Sequence, residues 1–255
     1  MKFIIALFSA LIFFPVTCHG TALTKLQVDP PFQPGERLTF NLSWEFIPIG
    51  TAALEVLPMS SMQGKTVHHF LASVTTNPVI DNIYKVRDRI EGYADADLSR
   101  SVLYRMKQRE GSCKRDITVI FDWEKGTAQY SNAEKKRPPI AISPGTFDLV
   151  SLFYAFRLQD LQEQTELQAP VTDGKKLVVG KAKILSKENV TVGNINYETF
   201  VVEPDIKEAG GVFEHGENAK LRVWITSDEK RIPVKVMCRA PIGRFIAELV
   251  SVEQH

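Results

Sequence analysis

Cysteine is scarce in this sequence: three among 255 residues, one of them, Cys18, within an apolar leader. That excludes a small scaffold stapled by many disulfides. Histidine is nearly as rare. His68 and His69 are adjacent, so on a strand they point to opposite faces and cannot grip one metal ion together. His215 stands with Glu214 and Glu217, with no second histidine or cysteine beside it. No metal site is expected. An excess of one charge is also missing: 31 Lys and Arg face 30 Asp and Glu, a net charge of +1. The densest basic cluster, Lys135, Lys136 and Arg137, reads as a solvated turn, so nucleic acid is not an expected partner. Beyond the leader no apolar run approaches the ~20 residues of a membrane helix. The sequence has no G-x-S-x-G elbow, no S-x-x-K at a helix start, no phosphate-cradling loop and no dinucleotide glycine fingerprint. Gly210-Gly211 is a lone pair, and Asp148 with Ser151 reads as helix capping. No catalytic residue and no cofactor is assigned, and an enzyme is the least supported reading.

What is present begins with "MKFIIALFSALIFFPVTCHG". Lys2, an apolar run from Phe3 to Phe14, then Pro15 and small residues have the layout of a secretory signal peptide over residues 1–20. Cleavage after Gly20 leaves Thr21 as the first mature residue. Lipidation of Cys18 is the alternative, but Pro15 and Thr17 stand where a lipobox has an aliphatic and a small residue. The exported chain, residues 21–255, reads as one β-rich domain, soluble or peripheral to the membrane.

Most of that chain alternates with a period of two. In "RLTFNLSWEF", Leu38, Phe40, Leu42, Trp44 and Phe46 share one face and Thr39, Asn41, Ser43 and Glu45 the other, the pattern of a half-buried strand. Similar runs recur between short turns, about eleven in all, without βαβ alternation. "GTFDLVSLFYAFR", residues 145–157, breaks the pattern after three prolines. Its spacing predicts one helix over Phe147 to Leu158, capped by Thr146 and apolar over so much of its surface that it must be largely buried. The expected fold is mainly β: a single large curved antiparallel sheet, or an open β-barrel, of about eleven strands with this helix packed into its concave face.

Strand parity selects further candidates. Asp88 shares a face with Val86 and Ile90, and an inward carboxylate needs a partner; Arg157 at the helix end and Arg231 at a strand start are the candidates, either as an ion pair tying helix to sheet or as a polar anchor at a cavity mouth. Cys113 is in phase with Ile117, Val119 and Phe121, and Cys238 with Ile232, Val234 and Val236, so both thiols should point inward, as a disulfide or as unpaired core residues. If the helix covers a cavity, Phe147, Leu149, Leu152, Phe153 and Phe156, with Trp44 and Trp224, are its candidate lining.

The order of "PFQPGERLTFNLSWEFIPIGTAALEV", "YKVRDRIEGY", "FDLVSLFYAFR", "LRVWITSDEKRIPVKV" and "PIGRFIAELV", from about residue 31 to 252, resembles the family of exported bacterial proteins called DUF3108, a domain of unknown function. The resemblance implies an exported, β-rich protein and carries over no catalytic residue or substrate. Two functions are therefore expected. The first is a non-enzymatic periplasmic carrier of a hydrophobic, lipid-like ligand held in the concave face of the sheet. The second is an adaptor that binds an envelope protein without a small-molecule ligand. The leader generates the first prediction: protein recovered from the cell envelope begins at Thr21 on N-terminal sequencing. A retained Met1 contradicts export, and a diacylglyceryl mass on Cys18 establishes the lipoprotein alternative.

Overall fold

The computed structural model describes residues 21–23, 30–205 and 220–255; the leader with Cys18 and the loop with Glu214, His215 and Glu217 lie outside them. Among the described residues sixteen strands and two helices follow in the order β1 (Thr21–Ala22), β2 (Glu36–Trp44), β3 (Ile47–Met62), β4 (Lys65–Thr76), α1 (Pro78–Asp81), β5 (Arg87–Asp95), β6 (Ser101–Glu110), β7 (Cys113–Asp122) and β8 (Thr127–Asn132). The chain continues through β9 (Lys135–Lys136), β10 (Ile140–Ala141), α2 (Leu149–Arg157), β11 (Thr165–Thr172), β12 (Leu177–Val192), β13 (Ile195–Pro204), β14 (Lys220–Thr226), β15 (Pro233–Ala240) and β16 (Gly243–Gln254).

All sixteen belong to one sheet, ordered β1-β11-β12-β13-β14-β15-β16-β2-β3-β4-β5-β6-β7-β8-β10, with β9 beside β8. Its neighbours pair antiparallel except β1, which runs parallel to β11. The sheet does not close; β1 and β10 are its ends. The strand count exceeds the expected eleven for local reasons. β1, β9 and β10 are two-residue strands with no readable alternation. β11 carries Pro170 and a polar start, so its period is masked, yet it is a strand from Thr165 onward. β12 is one strand of 16 residues, irregular at a register shift between Ile184 and Ser186, as at a bulge.

Burial follows the expected alternation in β2, where Leu38, Phe40 and Leu42 are buried, but Trp44 is 39% and Phe46 88% exposed. The strand ends at Trp44, and Glu45 takes a positive φ of 51° in the hairpin turn, so the last two aromatics of the series run past the edge of the core.

α2 packs on β4, β5 and β11. Along the sheet β4 is eight strands from β11, so the sheet must curl around the helix for both to touch it. The helix starts two residues later than its apolar spacing predicts. Phe147 forms a parallel bridge with Val171, which holds it extended, and Thr146 donates its hydroxyl to Ser143 O at 2.6 Å. Asp148 is the N-cap instead, accepting from Val150 N and Ser151 N at 2.9 and 3.0 Å. This end of the helix lies directly on β5. A Cβ at Gly92 would fall 2.8 Å from both Asp148 Oδ1 and Ser151 Oγ, so only glycine admits the helix there.

The helix is two-sided. Val150, Ser151, Tyr154, Ala155 and Arg157 are buried, with the Tyr154 ring stacked on Phe70 at 3.9 Å and edge-on to Phe32 at 5.0 Å. Leu152, Phe153 and Phe156 are only partly buried, so the largely buried helix expected from composition has a core face and a looser one. Chemical denaturation separates them: Tyr154→Ala is expected to cost ~3–5 kcal/mol, and Phe156→Ala roughly half as much. Equal losses would make both faces core.

Candidate functional site

Two apolar cavities flank the loose face of α2. The first, about 60 Å³, lies between Leu152, Phe153 and Phe156 and the facing strands β11 to β14, with Leu167, Ala169, Ala182, Val202, Val223 and Ile225 in its wall. Among the described residues Gln168 and Lys181 are its only polar side chains. The second, about 40 Å³, is walled among the described residues by apolar side chains alone, including Leu149, Val150, Phe40 and Val236. Phe153 and Val223 line both and so stand between them.

Of the expected lining, Leu149, Leu152, Phe153 and Phe156 face these cavities and three residues do not. Phe147 packs with Ala155 and Ala169. Trp44 lies at the surface, its Nε1 donating to Ile242 O at 2.9 Å. Trp224 is buried, but its indole N–H donates to Glu188, while its neighbours Val223 and Ile225 meet the cavity.

What fixes the helix beside these spaces is charge. Arg157 is fully buried and forms a bidentate pair with Glu36, Nη1 to Oε1 at 2.5 Å and Nη2 to Oε2 at 3.1 Å. Its Nε and Nη2 also donate to Lys230 O at 3.3 and 2.9 Å, and the Phe32 ring lies 5.1 Å from the guanidinium carbon. At the other end Asp148 accepts from Ser101 Oγ at 2.6 Å while its own N–H donates to that hydroxyl at 2.7 Å. Burial raises the Asp148 pKa, and the hydrogen bonds from Ser101, Ser151 and Val150 oppose the rise.

The helix is thus tied to the sheet by an ion pair, but not through Asp88. That carboxylate is buried, accepts from Arg109 N at 2.7 Å and lies beside buried Glu110, which accepts from Gln108 Nε2 at 3.1 Å. Burial first, then Glu110, push Asp88 up to about 7, against the pull of the Arg109 amide. Tyr84 faces the same pair, its hydroxyl also raised by burial. Arg231 is elsewhere, donating to Ser227 O and Asp228 O at 2.5 and 2.6 Å and lying 3.8 Å from Asp160. Parity had correctly turned Asp88 inward; it could not say which strands would adjoin. Glu36 is in phase with Leu38, Phe40 and Leu42, and that phase was the available signal for it. Gly92 carried none.

The cysteines are a correction of the same kind. Cys113 and Cys238 are both free, on β7 and β15, with six strands between them along the sheet. Cys238 is buried, and burial pushes its thiol up to about 12; Cys113 is only half-buried at the start of its strand. His68 and His69 diverge as expected, His68 toward Ala96 O at 3.2 Å and His69 stacked on Tyr93 at 4.1 Å. Among the described residues no group of three or more His, Cys, Asp or Glu is arranged to hold a metal ion.

The Asp88–Glu110 pair generates a pH prediction. Asp88 has a folded pKa of about 7 against an ordinary 3.8, so its contribution to stability is present below the ordinary value and is lost as pH rises through about 7. Thermal melts of Asp88→Asn should lack that loss, and the variant should be the more stable protein at alkaline pH. His68 and His69, whose pKa values burial lowers, give the opposite slope in both proteins and cancel in the comparison. Parallel curves for parent and variant would refute the assignment.

The fold resembles that of a β-barrel-like protein of domain of unknown function DUF1849 from Brucella abortus, at 10% identity over 86% of this chain and 97% of that one, with a TM-score of 0.54. A candidate exported protein with a YmcC-like fold from Bacteroides fragilis aligns at 8% identity over 88% of this chain and 98% of that one, with a TM-score of 0.33. No curated protein matches the sequence. The DUF3108 model, a family of proteins of unknown function, matches residues 39–250, nearly all of the sheet and the whole of α2, and the chain belongs to that family.

Proposed function

We propose that this protein is a non-enzymatic component of the bacterial cell envelope that binds a hydrophobic, lipid-like ligand against the loose face of α2. The observation that carries the reading is the pair of apolar cavities that share Phe153 and Val223. A core helix ordinarily packs at crystal-like density without such spaces; here Leu152, Phe153 and Phe156 are partly exposed beside them. The apolar leader supports a periplasmic location. Both volumes, about 60 and 40 Å³, are far below the ~300–1,000 Å³ of small-molecule sites. Ligand entry therefore requires Phe153 to swing and join the two spaces, while the helix backbone stays held through Arg157 and Asp148. The same small volumes favour the second reading, an adaptor for an envelope protein with no ligand.

A cavity-filling variant decides between them. Ala182 lines the larger cavity, and Ala182→Phe would occupy it. A fluorescent fatty acid should bind the parent and not Ala182→Phe, with thermal melts showing the variant folded. No binding by the parent, or equal binding by both, rejects the cavity as the site and leaves the adaptor.

A further inference from the structure

One end of the sheet carries apolar side chains that the fold leaves uncovered. Three neighbouring connections meet there: the β2–β3 turn, the β15–β16 turn and the segment with α1 between β4 and β5. They belong to consecutive strands, β15-β16-β2-β3-β4-β5, and all lie at the same end because these strands are antiparallel. On them Phe46 is 88%, Ile83 77% and Val79 72% exposed, with Ile47, Ile242 and Trp44 beside them. Singly exposed apolar residues are ordinary; six gathered at adjoining turns form an interaction surface.

The turns are built, not loose. Trp44 Nε1 holds Ile242 O at 2.9 Å, and a Cβ at Gly243 would strike that same nitrogen at 2.8 Å. Asn77 ties α1 to β3 through Pro48 O at 2.8 Å and Ile49 O at 3.0 Å. Glu45 pairs with Arg244, which lies 6.0 Å from the Phe46 ring, and Asp81 pairs with Arg87. These bonds fix the backbone while the apolar tips stand clear of it.

Shape and charge select the partner. The tips project from three separate turns, so the surface suits a soft, deformable phase more than a complementary protein face. Around them are the cations Lys85, Arg87, Arg239 and Arg244 and the anions Glu45 and Asp81. Both anions are already paired, and exposed Lys85 and Arg239 have no ion-pair partner among the described residues. Apolar and aromatic side chains ringed by uncompensated Lys and Arg have the composition of a segment that sits at an anionic bilayer surface. We infer that this rim docks on an anionic phospholipid membrane, with Phe46, Ile47, Val79 and Ile83 entering the interface and Lys85 and Arg239 at headgroup level. The inference does not depend on the cavity being a ligand site.

The test is co-sedimentation with phosphatidylcholine vesicles, with and without phosphatidylglycerol. It compares the exported protein with Phe46→Ser/Ile83→Ser and with Lys85→Glu/Arg239→Glu, all in the same processed form. The shared N-terminus then contributes equally to each. The altered side chains are exposed, so thermal melts should match the parent and certify folding. The parent should pellet with anionic vesicles in a salt-sensitive way. The first variant should partition ~10-fold or more weakly, and the second should lose the preference for phosphatidylglycerol. A parent that does not pellet, as expected if the rim serves a protein partner, overturns the inference. So does pelleting of Phe46→Ser/Ile83→Ser at the parent's level.

Discussion

The buried pair of Arg157 and Glu36 is the constraint on which the interior depends. Two charges withdrawn from water lose more than their attraction returns unless every donor and acceptor finds a partner. Here both carboxylate oxygens accept from the guanidinium, and Lys230 O takes two further bonds. The pair joins residues 121 apart, at the start of β2 and the end of α2, while the backbone oxygen comes from the connection between β14 and β15. Three distant parts of the chain are brought to one point. With Asp148 locked to Ser101 and seated on Gly92, the helix is held at both ends and cannot roll. Its Tyr154 face must then be core, and the spaces must fall on the side of Phe153 and Phe156.

Much of this was legible in residue order. Period-two alternation located most strands, and a proline-rich break followed by three-to-four spacing located the one long helix among the described residues. What escaped has a common cause. Parity states which way a side chain points, never which strand will stand opposite. Asp88 was rightly turned inward yet meets Glu110 and Arg109, and Arg157 meets Glu36. Cys113 and Cys238 follow apolar phases on strands that the curl of the sheet never makes neighbours. Trp44 and Phe46 continue an inward phase that ends because the strand ends. The helix start moved for a tertiary reason, the Phe147–Val171 bridge, that local capping preference does not contain.

The larger cavity and the apolar rim are connected by topology. Pro204 lines the cavity and closes β13 at the end of the sheet where β14 begins. Lys220, the first residue of β14, stands opposite Arg239, next to the β15–β16 turn. The cavity wall therefore runs from Ile225, beside the β14–β15 connection where Arg157 is anchored, to Pro204, on the side of the rim that carries Ile242 and Trp44. A protein that exchanged an apolar molecule with a bilayer would need such a path from its anchored interior toward its apolar rim. The rigid, charged anchor belongs at the far end, where water exclusion keeps the ion pair intact. The adjustable aromatic side chains and the exposed apolar tips belong at the near end, where contact with lipid would cost little and no buried charge would be uncovered.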